Sequence, residues 1–355
     1  MKEDLEKLKE KEDKLKEKEL TQGENLAKLL SKKFTLLPVK GNEHRFEVNP
    51  ISTGSLIMDY QSGIGGFPRG RIVHIYGSKS CGKTTLAFSV MAQAKKMGLL
   101  SVLLEMERAP MLRQRALEMG IDILDSNNFM FDQPVSAEDC LNKLRWTCQA
   151  EKFIPAVVVV DSVAGMMSEV DIDKDYTDSS KVAGVPLLLS RSLKEINYFA
   201  SKNNILVIFT NQVREKVSMT SRYVQEIPPG GKAIGFYASM EVTLKTLKAD
   251  EIIDPDNKDE DNNKIGQGVS FVFSKNKVAV PHKCGIFDLY FDERKIDNYS
   301  ALILIATKKD IVHQGGPWFT YKDEKWQGKN KLINELRYNE KLYESIKNDI
   351  FGNKK

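Results

Sequence analysis

The chain has 355 residues, of which 41% are hydrophobic and 29% charged, and its 53 Lys and Arg exceed its 49 Asp and Glu for a formal charge of +4. This composition supports a sizeable core and excludes a wholly disordered chain, and a charge so near balance confines any basic surface to a local patch. Cys81, Cys140, Cys148 and Cys284 form no C-x-x-C pair, and His44, His74, His282 and His313 form no H-x-x-x-H cluster, which argues against a zinc site and for a reducing compartment.

The opening MKEDLEKLKEKEDKLKEKEL is charged throughout, so it is no signal peptide. Its alternating Lys and Glu with sparse leucines at Leu5, Leu8 and Leu15 predict a solvated helix. No run reaches the ~20 apolar residues of a membrane span, so a cytoplasmic protein with no membrane partner is expected. After a break at Thr21, Gln22 and Gly23, ENLAKLLSKKF resumes a helical pattern until Pro38 stops it. From RIVHIYG the rhythm becomes strand, loop, helix, strand: RIVHIY, TTLAFSVMAQAKKMG, LLSVLLEME, then AVVVVDS and NILVIFTNQ, each preceded by an amphipathic helical pattern. Continuous apolar strands separated by such helices predict an α/β fold with a mainly parallel sheet covered on both faces. Next, SMEVTLKTLK and GVSFVFSKNKVAVP alternate in period two around the polar loop DEIIDPDNKDEDNNK and predict an antiparallel hairpin extending the sheet. From about residue 298 a smaller module begins, ending in one amphipathic helix, KLINELRYNEKLYESIKNDIF.

The stretch YGSKSCGKTT fits G-x-x-x-x-G-K-[ST], a loop whose backbone N–H groups surround phosphate oxygens. It lies between a strand and a helix, so the helix N-terminus adds positive potential to a cradle of Gly77, Ser78, Lys79, Ser80, Cys81, Gly82, Lys83, Thr84 and Thr85. Lys83 is assigned to the β- and γ-phosphates and Thr84 to Mg²⁺. Four valines deliver Asp161 to the carboxyl end of a strand beside that loop, where it is the second metal-site candidate. Glu105 or Glu107, ending LLEMER, is the candidate that orients an attacking water.

ISTGSLIMDY, GFPRGRIVHIYGSKSCGKTTL, VVVVDSVAGM, IFTNQVREK, PPGGKAIGFYAS and SKNKVAVP occur together in an order and spacing that resemble the RecA family of homologous-recombination proteins, and the likeness runs from about residue 45 to residue 340. The resemblance implies a RecA-type P-loop core with an N-terminal helical arm and a small C-terminal α/β domain. It divides the chain into a charged extension (1–22), a helix and polymerisation arm (23–50), an ATPase core (51–297) and a C-terminal domain (298–355). It implies a DNA-dependent ATPase, using ATP and Mg²⁺, that forms a helical filament of identical copies on single-stranded DNA and exchanges strands with a homologous duplex. Carried over residue by residue, the catalytic glutamate falls on Glu107, Gln212 resembles the glutamine that senses the γ-phosphate, and Tyr290 joins the nucleotide-binding set. Lys275 and Lys277 resemble a lysine pair that reaches a neighbouring subunit's ATP; without the resemblance, two lysines sharing one strand face read as a solvated face.

The resemblance also implies two DNA-binding loops. One is SEVDIDKDYTDSSK, with Lys181 and the later Arg191 as its cations. The other is VREKVSMTSRYVQEIPPGGK, where Arg214, Lys216, Arg222 and Lys232 neutralise phosphates, Gly230 and Gly231 allow close backbone approach, and Val217, Met219 and Tyr223 wedge between or stack on bases. Phe34, Leu36 and Phe236 are the interface candidates. The chain departs from the family at Arg108, Pro110, Met111 and Gln114, where Asp-Pro and a nearby Tyr are common, and at Gly235, where a lysine is usual. A ring-forming motor of the same broad fold and a nonenzymatic ATP-gated DNA-coating protein are the alternatives that the phosphate loop alone leaves open.

Overall fold

The computed structural model describes residues 25–26, 47–108, 113–173, 184–216, 225–227, 229–253, 264–292 and 296–352. The chain divides into residues 1–48, described only at helical Asn25 and Leu26 and at 47–48, and residues 49–355. The charged opening and the candidate anchors Phe34 and Leu36 lie outside the described residues.

In residues 49–355, β1 (Pro50–Ile51) and α1 (Leu56–Ser62) lead through β2 (Phe67–Pro68) to β3 (Ile72–Gly77), α2 (Lys83–Lys96), β4 (Ser101–Glu105), α3 (Arg113–Glu118) and β5 (Phe129–Asp132). There follow α4 (Ala137–Gln149), β6 (Val157–Asp161), the short α5 (Glu169–Ile172), α6 (Gly184–Lys202), β7 (Leu206–Gln212), β8 (Arg214–Lys216), β9 (Gln225–Ile227) and α7 (Ala233–Tyr237). The hairpin β10 (Met240–Ile253) and β11 (Lys264–Asn276) is followed by β12 (Cys284–Tyr290), α8 (Tyr299–Lys308), β13 (His313–Gly315), β14 (Trp318–Tyr321), β15 (Glu324–Gln327), α9 (Lys329–Tyr338) and α10 (Glu340–Phe351).

The main sheet has eight strands in the order β12-β11-β10-β3-β7-β6-β4-β5. From β10 to β5 every pairing is parallel, whereas β10–β11 and β11–β12 are antiparallel, as the period-two patterns predict. The unbroken apolar strands divide their side chains between two cores: Val157, Val159 and Ile208 face one side with α1, α2 and α8 to α10, while Val158, Val160 and Phe209 face the other with α4 and α6. Alternation along a strand guarantees this division.

Asn298 joins distant parts of this body. Its Oδ1 accepts from Leu56 N–H at 2.8 Å and its Nδ2 donates to the Gly54 carbonyl at 2.8 Å, satisfying backbone groups where α1 begins. The single terminal helix expected from KLINELRYNEKLYESIKNDIF is two helices. Asn339 leaves helical geometry at φ −120° and ψ 82°, donates its N–H to the Glu335 carbonyl, and accepts from Leu342 N–H at 3.1 Å through its side chain. One residue thus ends α9 and caps α10, and the continuous apolar spacing on both sides conceals the break.

Candidate nucleotide site and nucleic-acid face

The phosphate-loop segment leaves β3 at Gly77 and enters α2 at Lys83. A Cβ at Gly77 would stand 2.2 Å from the Leu244 carbonyl oxygen of β10, so only glycine permits this strand contact. Ser80 and Gly82 both have left-handed backbones, at φ 57° and 86°, which wind the loop around its own amides. No side chain caps α2, whose N-cap is Gly82, so its first N–H groups are open to a phosphate ligand. Lys83 is buried, and its ammonium donates to the carbonyls of Gly77 and Ser78 at 3.2 and 2.5 Å.

A cavity of 520 Å³ opens over this loop, lined by Lys79, Ser80, Gly82, Lys83, Thr84, Thr85, Glu107, Asp161, Gln212, Gln267, Leu289, Tyr290 and Phe291. The structure therefore brings together most of the nucleotide-site candidates. Gly77, Ser78 and Cys81 do not line it; the Cys81 thiol is buried, faces the Ser78 carbonyl, and is pushed up in pKa by that burial. Cys81 can serve a phosphate only through its backbone.

Burial raises the Asp161 pKa, hydrogen bonds from Thr210 and Thr84 oppose that rise, and the charges of Glu107 and Glu105 add to it. A buried carboxylate bonded to the Thr84 hydroxyl, with further carboxylates near, fits a divalent cation with oxygen ligands. One hydroxyl and one buried carboxylate leave room for the waters and phosphate oxygens that Mg²⁺ keeps as ligands.

The glutamates near this site differ in placement. Glu105 is buried and accepts from Glu107 N–H at 2.6 Å and Gln133 Nε2 at 2.8 Å. Glu107 faces the cavity, and its Oε1 accepts from Ser162 Oγ at 2.5 Å and Gln212 Nε2 at 2.9 Å. Arg108 turns away from this wall to donate to the carbonyls of Gln133 and Pro134. Pro110 and Met111 lie outside the described residues.

Ser162, Thr210 and Gln267 were not among the sequence candidates. Gln267 Nε2 donates to the Ser80 carbonyl at 2.7 Å and so fixes the loop from β11. Its one sequence signal is a polar residue on the strand phase that Val269, Phe271 and Phe273 otherwise fill.

Lys275 and Lys277 lie apart from the cavity. Leu244, which pairs with Gly77 at the loop, pairs on its other side with Phe271, and Lys275 is four residues further along β11. That spacing is about 13 Å of strand. The Lys275 ammonium donates to the carbonyls of Gly235 and Phe236 at 2.5 and 3.3 Å, and Lys277 donates its N–H to the Ser239 carbonyl. Phe236 is 72% exposed beside them.

On the expected nucleic-acid face, Arg214 pairs with Ile227 and Lys216 with Gln225 in the β8–β9 hairpin, so the second polar segment begins and ends as paired strands. Gly230 and Gly231 have left-handed backbones at φ 86° and 74°; a Cβ on Gly230 would stand 2.9 Å from Leu189 and 3.0 Å from Val163. The glycines therefore set the end of the second segment against the start of α6, which follows the first. Lys232 and, on α6, Arg191 are exposed. Lys181, Val217, Met219, Arg222 and Tyr223 lie outside the described residues.

Residues 24–295 match the RecA N-terminal domain family and residues 300–354 the RecA C-terminal domain family. The chain is similar to Protein RecA of Thermus thermophilus, with 34% identity over 332 residues that cover 92% of each chain. It is similar also to Protein RecA of Chlamydia muridarum, with 32% identity over 306 residues covering 86% of this chain and 82% of the relative. Among solved structures, the RadB recombinase matches in fold with a TM-score of 0.50 and 23% identity, covering 70% of this chain and 99% of that one.

Proposed function

The chain belongs to the RecA family, and from that premise we propose that it is a DNA-dependent ATPase that assembles on single-stranded DNA as a helical filament and exchanges strands with a homologous duplex. The observation that carries this reading is the hydrogen bond between Glu107 and Gln212 at the cavity mouth. It joins the group suited to activate water to the last residue of β7, two positions before the β8–β9 hairpin.

In this reading Lys83 exchanges the carbonyls of Gly77 and Ser78 for β- and γ-phosphate oxygens, while the loop and α2 amides hold the remaining charge. Mg²⁺, when bound with ATP through the Thr84 hydroxyl and Asp161, neutralises the phosphate charge. Glu107 orients the attacking water and accepts its proton, and Gln212 follows the γ-phosphate and transmits its presence to the hairpin. Arg214, Lys216 and Lys232 neutralise DNA phosphates, and the neighbour's Lys275 and Lys277 complete the ATP site across a heterologous interface that does not close.

A strand-exchange assay with homologous and nonhomologous duplexes tests the proposal. ATP-dependent product from the homologous duplex alone is the expected result. Coating of single strands without exchange would leave only a DNA-coating role, and closed hexamers by electron microscopy would favour a ring-forming motor.

A further inference from the structure

A line of polar side chains, buried at His74 and Asn211 and half-buried at Glu241 and Lys275, crosses the sheet near the exposed Phe236. Lys275 on β11 pairs in register with Glu241 on β10, and Glu241 pairs with His74 on β3. His74 Nδ1 lies 3.3 Å from Glu241 Oε1, and its side chain is 3% exposed. On its other edge, His74 Nε2 lies 3.5 Å from Asn211 Nδ2, which donates to the Pro229 carbonyl at 2.8 Å. Among the described residues, the buried Asn211 Oδ1 has no partner. The hydrogen bond to His74 is the foremost cause holding the Glu241 carboxyl below the usual range, and burial, reinforced by neighbouring Lys277, lowers Lys275.

With Asn211 Nδ2 facing the ring, this pattern fits a neutral imidazole, with Nδ1–H donating to Glu241 and a bare Nε2 facing the Asn211 amide. An imidazolium would present an N–H to the Asn211 amide hydrogens. Turning the amide relieves that opposition and gives the unpartnered Oδ1 a donor, but it removes the donor from the Pro229 carbonyl. Pro229 immediately precedes the left-handed Gly230, whose position a Cβ would crowd against Leu189 and Val163, and the left-handed Gly231 beside Pro186. The other groups around the ring are Tyr76 on the same strand, with centroids 5.0 Å apart, and Lys275 beyond Glu241. The packed helix α7 carries Tyr237, and exposed Lys232 is its N-cap.

We propose that His74 is a positioning residue that holds the Pro229 turn at the foot of the β8–β9 hairpin through Asn211 and the assembly-face Lys275 through Glu241. Neutral His74 keeps the DNA-facing turn and the cross-subunit lysine in one arrangement, and protonation releases the turn. The inference rests on the proposed function, because it treats the hairpin as a DNA contact and Lys275 as a cross-subunit group.

The test compares wild type, His74→Gln and His74→Phe for ATP hydrolysis with and without single-stranded DNA between about pH 5.5 and about pH 8, where imidazoles titrate. Glutamine retains a donor for Glu241 and an acceptor for Asn211 but does not titrate, whereas phenylalanine offers neither. Wild-type DNA stimulation is expected to fall several-fold at the acid end, His74→Gln to keep a flat profile, and His74→Phe to lose about tenfold at every pH. A His74→Gln profile that falls in parallel with wild type, or a His74→Phe protein equal to wild type, overturns the inference while leaving the function intact. Wild-type hydrolysis indifferent to DNA overturns both. Should His74→Phe fail the check of cooperative thermal unfolding, the comparison of His74→Gln with wild type decides alone.

Discussion

Glu105 ends β4 and Glu107 lies two residues beyond it, and they meet different surroundings, one enclosed and accepting from two N–H donors, the other on a cavity wall beside Gln212. Glu107→Gln is therefore expected to lower the DNA-stimulated turnover number by about 10² or more with nucleotide affinity retained, as loss of a general base does. Glu105→Gln turns an amide N–H toward one of its present donors and is expected to cost about 1–3 kcal/mol of stability with a smaller change in turnover. Steady-state hydrolysis and urea unfolding of both variants check the division, and an equal loss of turnover in each would remove it. Spacing alone left this pair open and the family resemblance pointed to Glu107, but only the fold shows that Glu105 is the enclosed carboxylate.

The turn before α1 offers a second separation of burial from charge. Asp59 is buried, with its pKa raised to about 6 by that burial, although Ser52 Oγ, Thr53 N–H and Thr53 Oγ1 donate to it at 2.5, 2.8 and 2.7 Å. In the unfolded chain the carboxyl titrates near 3.8. Below that value it is protonated in both states; between 3.8 and about 6 the folded state alone keeps the proton; above about 6 the folded protein carries the full cost of a buried charge. Its contribution is thus greatest in acid and declines across this window by about 3 kcal/mol. Asp59→Asn cannot titrate, so the stability difference from wild type, measured by urea unfolding at pH 4 to pH 7, is expected to move against wild type as pH rises. A pH-independent difference would refute the assignment. Elements such as β3, β6, β7 and the β10–β11 hairpin were legible because their apolar runs or strict alternation admit one period. The break at Asn339 was not, because a single residue between two helices of matching apolar spacing leaves no gap in the pattern. Strand order was equally hidden: nothing local states that β3 lies between β10 and β7, and so nothing local brings His74 to Glu241 or Gln267 to Ser80.

At the scale of the whole molecule, Lys275 on β11 and Lys277 just beyond it lie apart from the cavity over the phosphate loop, and under the proposed function two copies contribute to each ATP site. Lys275→Ala and Glu107→Gln are each expected to lose DNA-stimulated hydrolysis as pure proteins. Mixed in equal amounts, they form some interfaces in which one copy supplies an intact Glu107 and the other an intact Lys275, and roughly a quarter of wild-type activity is expected to return. No recovery in the mixture, with both proteins folded and binding DNA, would place the lysines outside the shared site. The Asn298 contacts have a consequence in time. Leu56 N–H and the Gly54 carbonyl receive partners 242 and 244 positions later in the chain. At a synthesis rate of about 5–20 residues per second, the ribosome delivers those partners roughly 10–50 s after the amides they complete. The start of α1 must wait in that interval as an unfinished end, and the closing of this long loop belongs among the last events of maturation.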